Sequence, residues 1–150
     1  MEDKDLIRYS RHIMLPEIDI EGQISISSSK IAVVGLGGLG CSASVYLAAS
    51  GVGELNLIDN DLIDLSNLQR QILFSEADLN KKKVDTAKIK LSSLNENIKV
   101  NSSNLRLSKS NIRKILEGSE IVLDCSDNFE TRKVINLSLI HISEPTRPIA

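Results

Sequence analysis

The 150-residue chain has few aromatic side chains and little net charge. It contains no tryptophan, two tyrosines and two phenylalanines, which argues against a platform on which the bases of single-stranded nucleic acid stack. Its formal net charge of -2 provides no electrostatic attraction to nucleic acid or to an anionic membrane surface. We therefore expect neither nucleic acid nor a membrane as a partner.

Cysteine and long apolar runs are also scarce. Cys41 and Cys125 are far apart, lack the spacing of metal ligands and have apolar neighbours, which is typical of reduced thiols in a core. The N-terminal sequence is polar rather than signal-like, and no apolar run approaches the length of a membrane span. These features predict a cytoplasmic globular protein, in which 41% hydrophobic residues build the core of one domain.

The most informative stretch of the chain is residues 30–41, KIAVVGLGGLGC. Its apolar, β-branched start predicts a buried strand, and the small residues at 41–49 predict a helix. The GxGxxG pattern between them is typical of the turn that binds phosphate groups in a Rossmann-type unit. In such a turn Gly35 allows the tight bend, Gly37 lets the backbone approach a pyrophosphate, and Gly40 lets the helix pack closely on the strand.

The hydrophobic pattern predicts three more strands along the chain. The second strand, residues 54–59, ends in Asp59, at the position of an acid that binds a ribose hydroxyl. The remaining pattern predicts strands at 98–100 and 121–123, helices at about 84–94, 111–116 and 129–137, and a helical arm over residues 1–29. We therefore predict an α/β fold, a doubly wound and mostly parallel sheet with the strand order 3-2-1-4.

Polar and charged residues follow the second and the fourth strands. The loop at 60–74 is long and polar, and such loops are often functional. Three lysines at 81–83 precede a helix, where cations oppose the helix dipole, so a nearby anion would explain them. Asp127 follows the fourth strand, where open α/β sheets bind ligands. This residue would act as a Mg²⁺ ligand, as the N-cap of the next helix, or as both.

Two nucleotides fit the glycine turn and Asp59, namely ATP and NAD. A triphosphate carries more negative charge than a pyrophosphate and normally requires cationic side chains and Mg²⁺. Arg70, Lys83 and Asp127 would meet those requirements, so the residues favour ATP. An NAD-dependent oxidoreductase and a non-catalytic nucleotide-binding fragment are the alternatives.

Five segments together resemble the ThiF/MoeB/HesA family of bacterial proteins related to ubiquitin-activating E1 enzymes. The segments are RYSRHI, GLGGLGCSAS, LIDNDLIDLSNLQRQ, KKKVDTAK and DCSDN. The resemblance implies ATP- and Mg²⁺-dependent adenylation of the C-terminal glycine carboxylate of a ubiquitin-like sulfur-carrier protein ending in Gly-Gly, with release of pyrophosphate. The carrier would belong to the molybdopterin or thiamine pathway. A homodimer, and structural Zn²⁺ in a C-terminal half beyond this sequence, are also implied.

The resemblance also implies roles for individual residues. Gly35, Gly37, Gly38 and Gly40 would form the nucleotide turn, and Asp59 would hold the ribose. Asn67, Arg70 and Lys83 would contact phosphates, Gln71 would support their loop, Asp127 would bind Mg²⁺, and Arg11 would reach the ATP of a partner subunit. The substrate carboxylate is itself the nucleophile in this reaction. His12 and His141 are therefore expected to be structural or solvent-facing.

Agreement with the family is expected to end at about Leu137. The residues that follow contain Pro145 and Pro148, which would stop a helix, and their sequence resembles translated adapter DNA; a genuine divergent tail is the alternative. We therefore expect three regions: a helical arm at 1–29, an incomplete Rossmann-type domain at 30–137 and a non-native tail at 138–150. As a truncated adenylyltransferase, the chain is expected to be inactive on its own.

Overall fold

The computed structural model describes the backbone of residues 1–142 and the side chains of residues 1–138. In chain order its elements are α1 (Asp3–Arg8), α2 (Ser10–Ile13), α3 (Asp19–Ser28), β1 (Lys30–Val34), α4 (Gly38–Ser50), β2 (Glu54–Asp59), α5 (Lys83–Leu94), β3 (Lys99–Asn104), α6 (Ile112–Leu116), β4 (Ile121–Asp124) and α7 (Phe129–Ile142). Short 3-10 turns occur at Leu65–Asn67 and Glu76–Asp78. Within the described residues, no helix is both long and apolar enough to cross a membrane.

The four strands form one parallel sheet in the order β3-β2-β1-β4. This confirms the predicted fold class and strand order. Because side chains alternate along each strand, β1 contributes Val33 to one face of the sheet and Ala32 and Val34 to the other. The first face packs against α4 and α5, and the second against α6 and α7. The sheet is therefore covered by helices on both sides, as expected for a doubly wound fold.

The predicted helical arm consists of three helices and is anchored to the domain by Tyr9. The Tyr9 ring lies over Gly51, where an added Cβ would be 2.5 Å from ring atom Cζ. Its hydroxyl accepts a hydrogen bond from Asn95 Nδ2 at 2.9 Å, and the same amide donates to the Ala48 carbonyl. Since Asn95 is fully buried, this contact fixes the arm against the ends of α4 and α5.

His12 also helps to attach the arm to the rest of the domain. Its Nδ1 lies 2.9 Å from Gln23 Oε1, and Gln23 Nε2 donates to the Ser50 carbonyl at 3.0 Å. Since Gln23 is fully buried, its amide joins the arm to the end of α4. This structural role for His12 agrees with the sequence prediction, whereas the side chain of His141 lies outside the described residues.

Two elements extend beyond their predicted limits. β3 continues to Asn104 through a polar sequence that has no apolar alternation, and it pairs with β2 only. α7 continues past Leu137 to Ile142. Pro145 and Pro148 lie outside the described residues, and the proposed boundary at 137 stays a prediction.

Candidate nucleotide site

A cavity of about 400 Å³ lies at the carboxyl ends of the four strands. Ligands bind at this edge in open α/β sheets. The cavity brings together seven of the residues selected from the sequence, namely Gly35, Gly37, Asp59, Asn67, Gln71, Lys83 and Asp127. Four others, Arg11, Gly38, Gly40 and Arg70, are not among its lining residues.

The glycines of the turn have different physical roles. Gly35 has φ +95°, and a Cβ there would lie 2.7 Å from the carbonyl oxygen of Cys125. A Cβ on Gly40 would lie 1.8 Å from the Gly35 carbonyl oxygen, so Gly40 permits the close packing of helix on strand that the motif predicts. A Cβ on Gly37 would meet no atom within 4 Å. Gly37 is therefore the glycine whose backbone faces open space in the cavity.

Asp59 connects the glycine turn to the end of β2. One carboxylate oxygen accepts a hydrogen bond from the Leu36 amide and the other from the Asp61 amide, each at 2.7 Å. No side chain caps the start of α4, whose first turn contains no acid. The first amide groups of this helix thus lack intrahelical partners, and they lie next to the turn, where the helix dipole favours the binding of an anion.

The loop after β2 contributes ordered polar groups to the same cavity. Asp64 accepts hydrogen bonds from the amide and hydroxyl of Ser66, and these bonds hold the pKa of its carboxyl below the usual value. Gln71 is buried, and its Oε1 has no hydrogen-bond partner among the described residues. Together with Asn67, these residues contribute polar groups to the lining of the cavity.

Lys83 is the buried cation of the site. Its side chain is only 5% exposed, although it lines the cavity. The nearest carboxylate is that of Asp61, at 3.9 Å, and Asp61 is itself 68% exposed. Within residues 1–138 no group accepts a hydrogen bond from the Lys83 ammonium. A buried ammonium with so weak a partner is unfavourable unless an anion completes it.

Arg70 and Arg11 occupy exposed positions. The aliphatic part of the Arg70 side chain packs near Gly38, where a Cβ would lie 3.5 Å from Arg70 Cγ. Arg70 is therefore next to the start of α4, at the rim rather than in the wall of the cavity. Arg11 lies on α2, away from the cavity.

The connection from β4 to α7 places one carboxylate at the cavity. Asp127 is exposed and lines it. The alternative role of Asp127 as a helix cap is wrong, because Asn128 Oδ1 accepts the Thr131 amide at 3.0 Å and is the group that caps α7. In the described part of the chain no three His, Cys, Asp or Glu side chains cluster as a metal site would require. A single carboxylate fits Mg²⁺, which completes its shell with water and phosphate oxygens.

The two cysteines differ in their surroundings. Cys41 is fully buried, and this burial raises the pKa of its thiol to about 12. Cys125 is a free thiol that is only half-buried; it packs against the hydrophobic core, as predicted, and also lines the cavity. Its pKa is also raised, first by burial and then by the charge of Asp124. Neither thiol has the lowered pKa of an activated nucleophile.

Sequence reasoning missed the wall formed by residues 105–107. This segment follows β3 and lines the cavity with Leu105, Arg106 and Leu107. The predicted strand order places the end of β3 at the edge of the sheet where ligands bind. Because we predicted that β3 ends at residue 100, residues 105–107 were not assigned to that edge. Ser126 and Thr131 are further lining residues that were not selected from the sequence.

The parallel sheet, its order and the glycine turn at its carboxyl edge define a protein of the Rossmann-type α/β class. The sequence matches the ThiF family over residues 9–145, and the protein belongs to that family. This match extends past Leu137, where we expected agreement with the family to end.

Named relatives and a solved structure agree with this assignment. The chain is 44% identical to the molybdopterin-synthase adenylyltransferase of Haemophilus influenzae and 41% identical to the sulfur carrier protein ThiS adenylyltransferase of Escherichia coli. Each match covers 97% of the chain, which spans 60% and 58% of the lengths of these relatives. The crystal structure of PaaA superposes with a TM-score of 0.85 at 29% identity, covering 96% of this chain and 46% of PaaA.

Proposed function

We propose that this chain carries the ATP-binding part of an adenylyltransferase that acts on the C-terminal glycine carboxylate of a ubiquitin-like sulfur-carrier protein. The proposal is supported by the names of the relatives, which are adenylyltransferases for molybdopterin synthase and for ThiS. The observation that carries it is the buried Lys83 ammonium beside the glycine turn. An NAD site would use the turn and Asp59, but a pyrophosphate carries less negative charge than a triphosphate and requires a buried lysine less.

In the proposed reaction a carboxylate oxygen of the last carrier glycine attacks the α-phosphorus of ATP. A new O–P bond forms, the bond from the α-phosphorus to the bridging oxygen breaks, and pyrophosphate leaves with its electron pair. The protein then has to position and neutralise the polyphosphate rather than supply a nucleophile. This requirement fits a site that contains a buried lysine and no activated thiol.

Different residues at the cavity would bind different parts of the nucleotide. The Gly37 backbone and the start of α4 would bind the phosphates with Lys83 and Asn67, and Asp59 would hold the ribose. Gln71 would keep the loop after β2 in place. Asp127 would hold Mg²⁺, which when bound neutralises charge on the phosphate oxygens.

The two exposed arginines would act from outside the cavity wall. Arg70, next to the start of α4, would reach phosphates that extend beyond the turn. Arg11 is too far from its own cavity to line it, so a role in catalysis would require a homodimer in which it serves the site of the partner. A cytoplasmic location is part of the same proposal.

The first test is equilibrium binding of ATP with Mg²⁺ and of NAD to the 150-residue chain. We expect the chain to bind ATP, and Lys83→Ala to weaken binding by roughly 10- to 100-fold, the scale of a charge-assisted contact of about 1.5–3 kcal/mol. Lys88→Ala, which removes an exposed lysine of the same helix, is the matched control and should leave the affinity unchanged. Binding of NAD but not of ATP would overturn the proposal.

The second test concerns transfer to the carrier and uses a longer protein that contains this chain. Exchange of pyrophosphate into ATP should require a carrier that ends in Gly-Gly. Exchange at the same rate without any carrier would contradict the proposed acceptor.

A further inference from the structure

The order of the strands fixes the direction in which a nucleotide lies along the cavity. The carboxyl ends follow one another as β3, β2, β1 and β4. Asp59, at the end of β2, is in register with Asn104, at the end of β3. Residues 105–107 therefore lie beside Asp59, on the side opposite the glycine turn. A nucleotide whose phosphates meet the turn and whose ribose meets Asp59 extends its base toward these residues.

The lining of the cavity is apolar at this end. Leu107 belongs to the same buried hydrophobic cluster as Ile58 of β2, and Leu105 packs against that cluster. All three residues line the cavity. The base is the part of a nucleotide that gains most from apolar surface, because its flat faces are weakly hydrated. The leucines on either side of Arg106 thus provide a surface for one face of the base.

Arg106 combines a fixed backbone with a side chain that is only weakly held. Its carbonyl accepts a hydrogen bond from Asn111 Nδ2 at 3.0 Å, and Asn111 Oδ1 accepts the Ser108 amide at 2.8 Å. Its guanidinium lies 3.6 Å from Glu130, but the two side chains are 53% and 87% exposed. Exposed ion pairs of this kind contribute little. A ligand in the cavity can therefore replace Glu130 as the partner of the guanidinium with only a small loss of free energy.

We propose that Arg106 binds the base of the nucleotide, with its guanidinium stacked on the ring face opposite Leu105 and Leu107. This proposal rests on the proposed nucleotide site. A planar guanidinium is well suited to the role, since it attracts an aromatic face electrostatically and also stacks on it. A role in phosphate binding is disfavoured because the glycine turn follows β1, on the other side of Asp59 from residues 105–107.

The test compares ATP–Mg²⁺ with inorganic tripolyphosphate, which has the same phosphates but no base. We expect Arg106→Ala to weaken ATP binding roughly 5- to 30-fold, the range for a cation over an aromatic ring, and to leave tripolyphosphate binding unchanged. Arg106→Lys should give an intermediate loss for ATP, because the ammonium keeps the charge but cannot stack. Arg113→Ala, which removes an exposed arginine of α6, is the matched control and should change neither affinity.

A second variant separates the base contact from the surface ion pair. Glu130→Gln releases Arg106 without removing it, so ATP should bind as well as before or more tightly. If this variant weakened ATP binding as much as Arg106→Ala, the ion pair would be the important contact and the inference would be wrong. Equal losses of ATP and tripolyphosphate in Arg106→Ala would assign Arg106 to the phosphates and overturn it as well.

Failure of this inference is distinguishable from failure of the proposed function. If the unaltered chain binds ATP and Arg106→Ala binds it equally well, the inference about the base is wrong and the nucleotide site stands. If the unaltered chain does not bind ATP, both are wrong.

Discussion

Lys83 occupies a position where folding alone would favour an apolar side chain. Its side chain is only 5% exposed, and within residues 1–138 its ammonium makes one ion pair, with the exposed carboxylate of Asp61 at 3.9 Å. A charge that is buried beside so weak a partner reduces stability. This conflict between burial and pairing is the main observation behind the proposed phosphate contact.

The conflict leads to a prediction about Lys83→Met. We expect this variant to keep the free energy of unfolding or to raise it by up to about 2 kcal/mol, since an apolar side chain of similar length replaces a desolvated charge and Asp61 stays hydrated. At the same time, the rise in melting temperature caused by a fixed concentration of ATP–Mg²⁺ should become smaller, because this variant binds the nucleotide more weakly. Thermal unfolding with and without the nucleotide measures both effects. Lys88→Met provides the exposed control, and a melting temperature several degrees lower in Lys83→Met would refute the argument.

Single residues differed in how well the sequence predicted them. Gly35 and Gly40 belong to a motif whose spacing specifies their packing, and the structure shows that packing as a close approach between the two residues. Their contacts with a nucleotide stay predictions. Arg106 belongs to no motif, and the sequence around an isolated arginine does not indicate that it lines a cavity. Its position became evident only from the register of β2 and β3.

The start of α7 separates two polar residues that are adjacent in sequence. Asn128 caps the helix, whereas Asp127 faces the cavity with an exposed carboxylate. The stability of the helix start and the proposed binding of Mg²⁺ therefore depend on different side chains.

Two substitutions at this helix start should have opposite effects. Asp127→Asn should leave the melting temperature unchanged and raise the Mg²⁺ concentration needed for ATP binding, because a neutral amide is a weaker ligand for a hard cation. Asn128→Ala should lower the free energy of unfolding by about 1 kcal/mol, the usual cost of a lost cap, without changing the Mg²⁺ requirement. Denaturant unfolding and Mg²⁺ titrations of ATP binding distinguish the two. An unchanged Mg²⁺ requirement in Asp127→Asn would exclude the ligand role.

Among the elements, the strands with a buried apolar pattern were predicted closely and β3 was not. β1 and β4 consist mostly of apolar residues, and β2 contains apolar residues at half of its positions. β3 pairs only with β2, and most of its residues are polar. An edge strand of this kind is stabilised mainly by its backbone pairing, which hydrophobic periodicity does not reveal.

At the scale of the whole molecule, Asp78 connects the segment before α5 to the body of that helix. Its carboxylate accepts hydrogen bonds from Lys90 and from the amide and hydroxyl of Ser75. These contacts, that of Lys90 foremost, lower the pKa of Asp78 to about 2 against the opposing effect of its burial. The deprotonated form is therefore favoured by the folded chain.

This pKa predicts how stability depends on pH. Since the pKa is lower in the folded than in the unfolded chain, the contribution of Asp78 is complete above about pH 4 and is lost as the pH falls toward 2. We expect that contribution to be about 1–2 kcal/mol. Urea unfolding between pH 2 and pH 6 should show a smaller acid-induced loss in Asp78→Asn than in the parent chain. Glu117→Gln, at an exposed position, is the control, and equal acid sensitivity of Asp78→Asn and the parent would contradict the assignment.

The fold as a whole could be predicted because its signals are local and repeated. Apolar strands alternate with helices along the chain, and the rules for parallel crossovers leave few arrangements of such units. The attachment of the N-terminal arm was not predictable in this way. It depends on contacts among Tyr9, Gly51 and Asn95. These residues are distant in sequence and belong to no motif, so their contacts can be recognised only in the folded structure.

The sheet order also has a consequence for the sequence of events during folding. β1 pairs with β2 across a single helix, whereas its pairing with β4 joins Ile31 to Ile121 and requires closure of most of the chain. Contacts so distant in sequence form slowly, because the entropy of the intervening loop is lost before the contact is gained. β4 is therefore expected to join the sheet last. A chain that had formed only β1, β2 and β3 would already present the glycine turn, Asp59 and Lys83, so most of the proposed nucleotide site would form before β4 and the connection that contains Asp127 have docked.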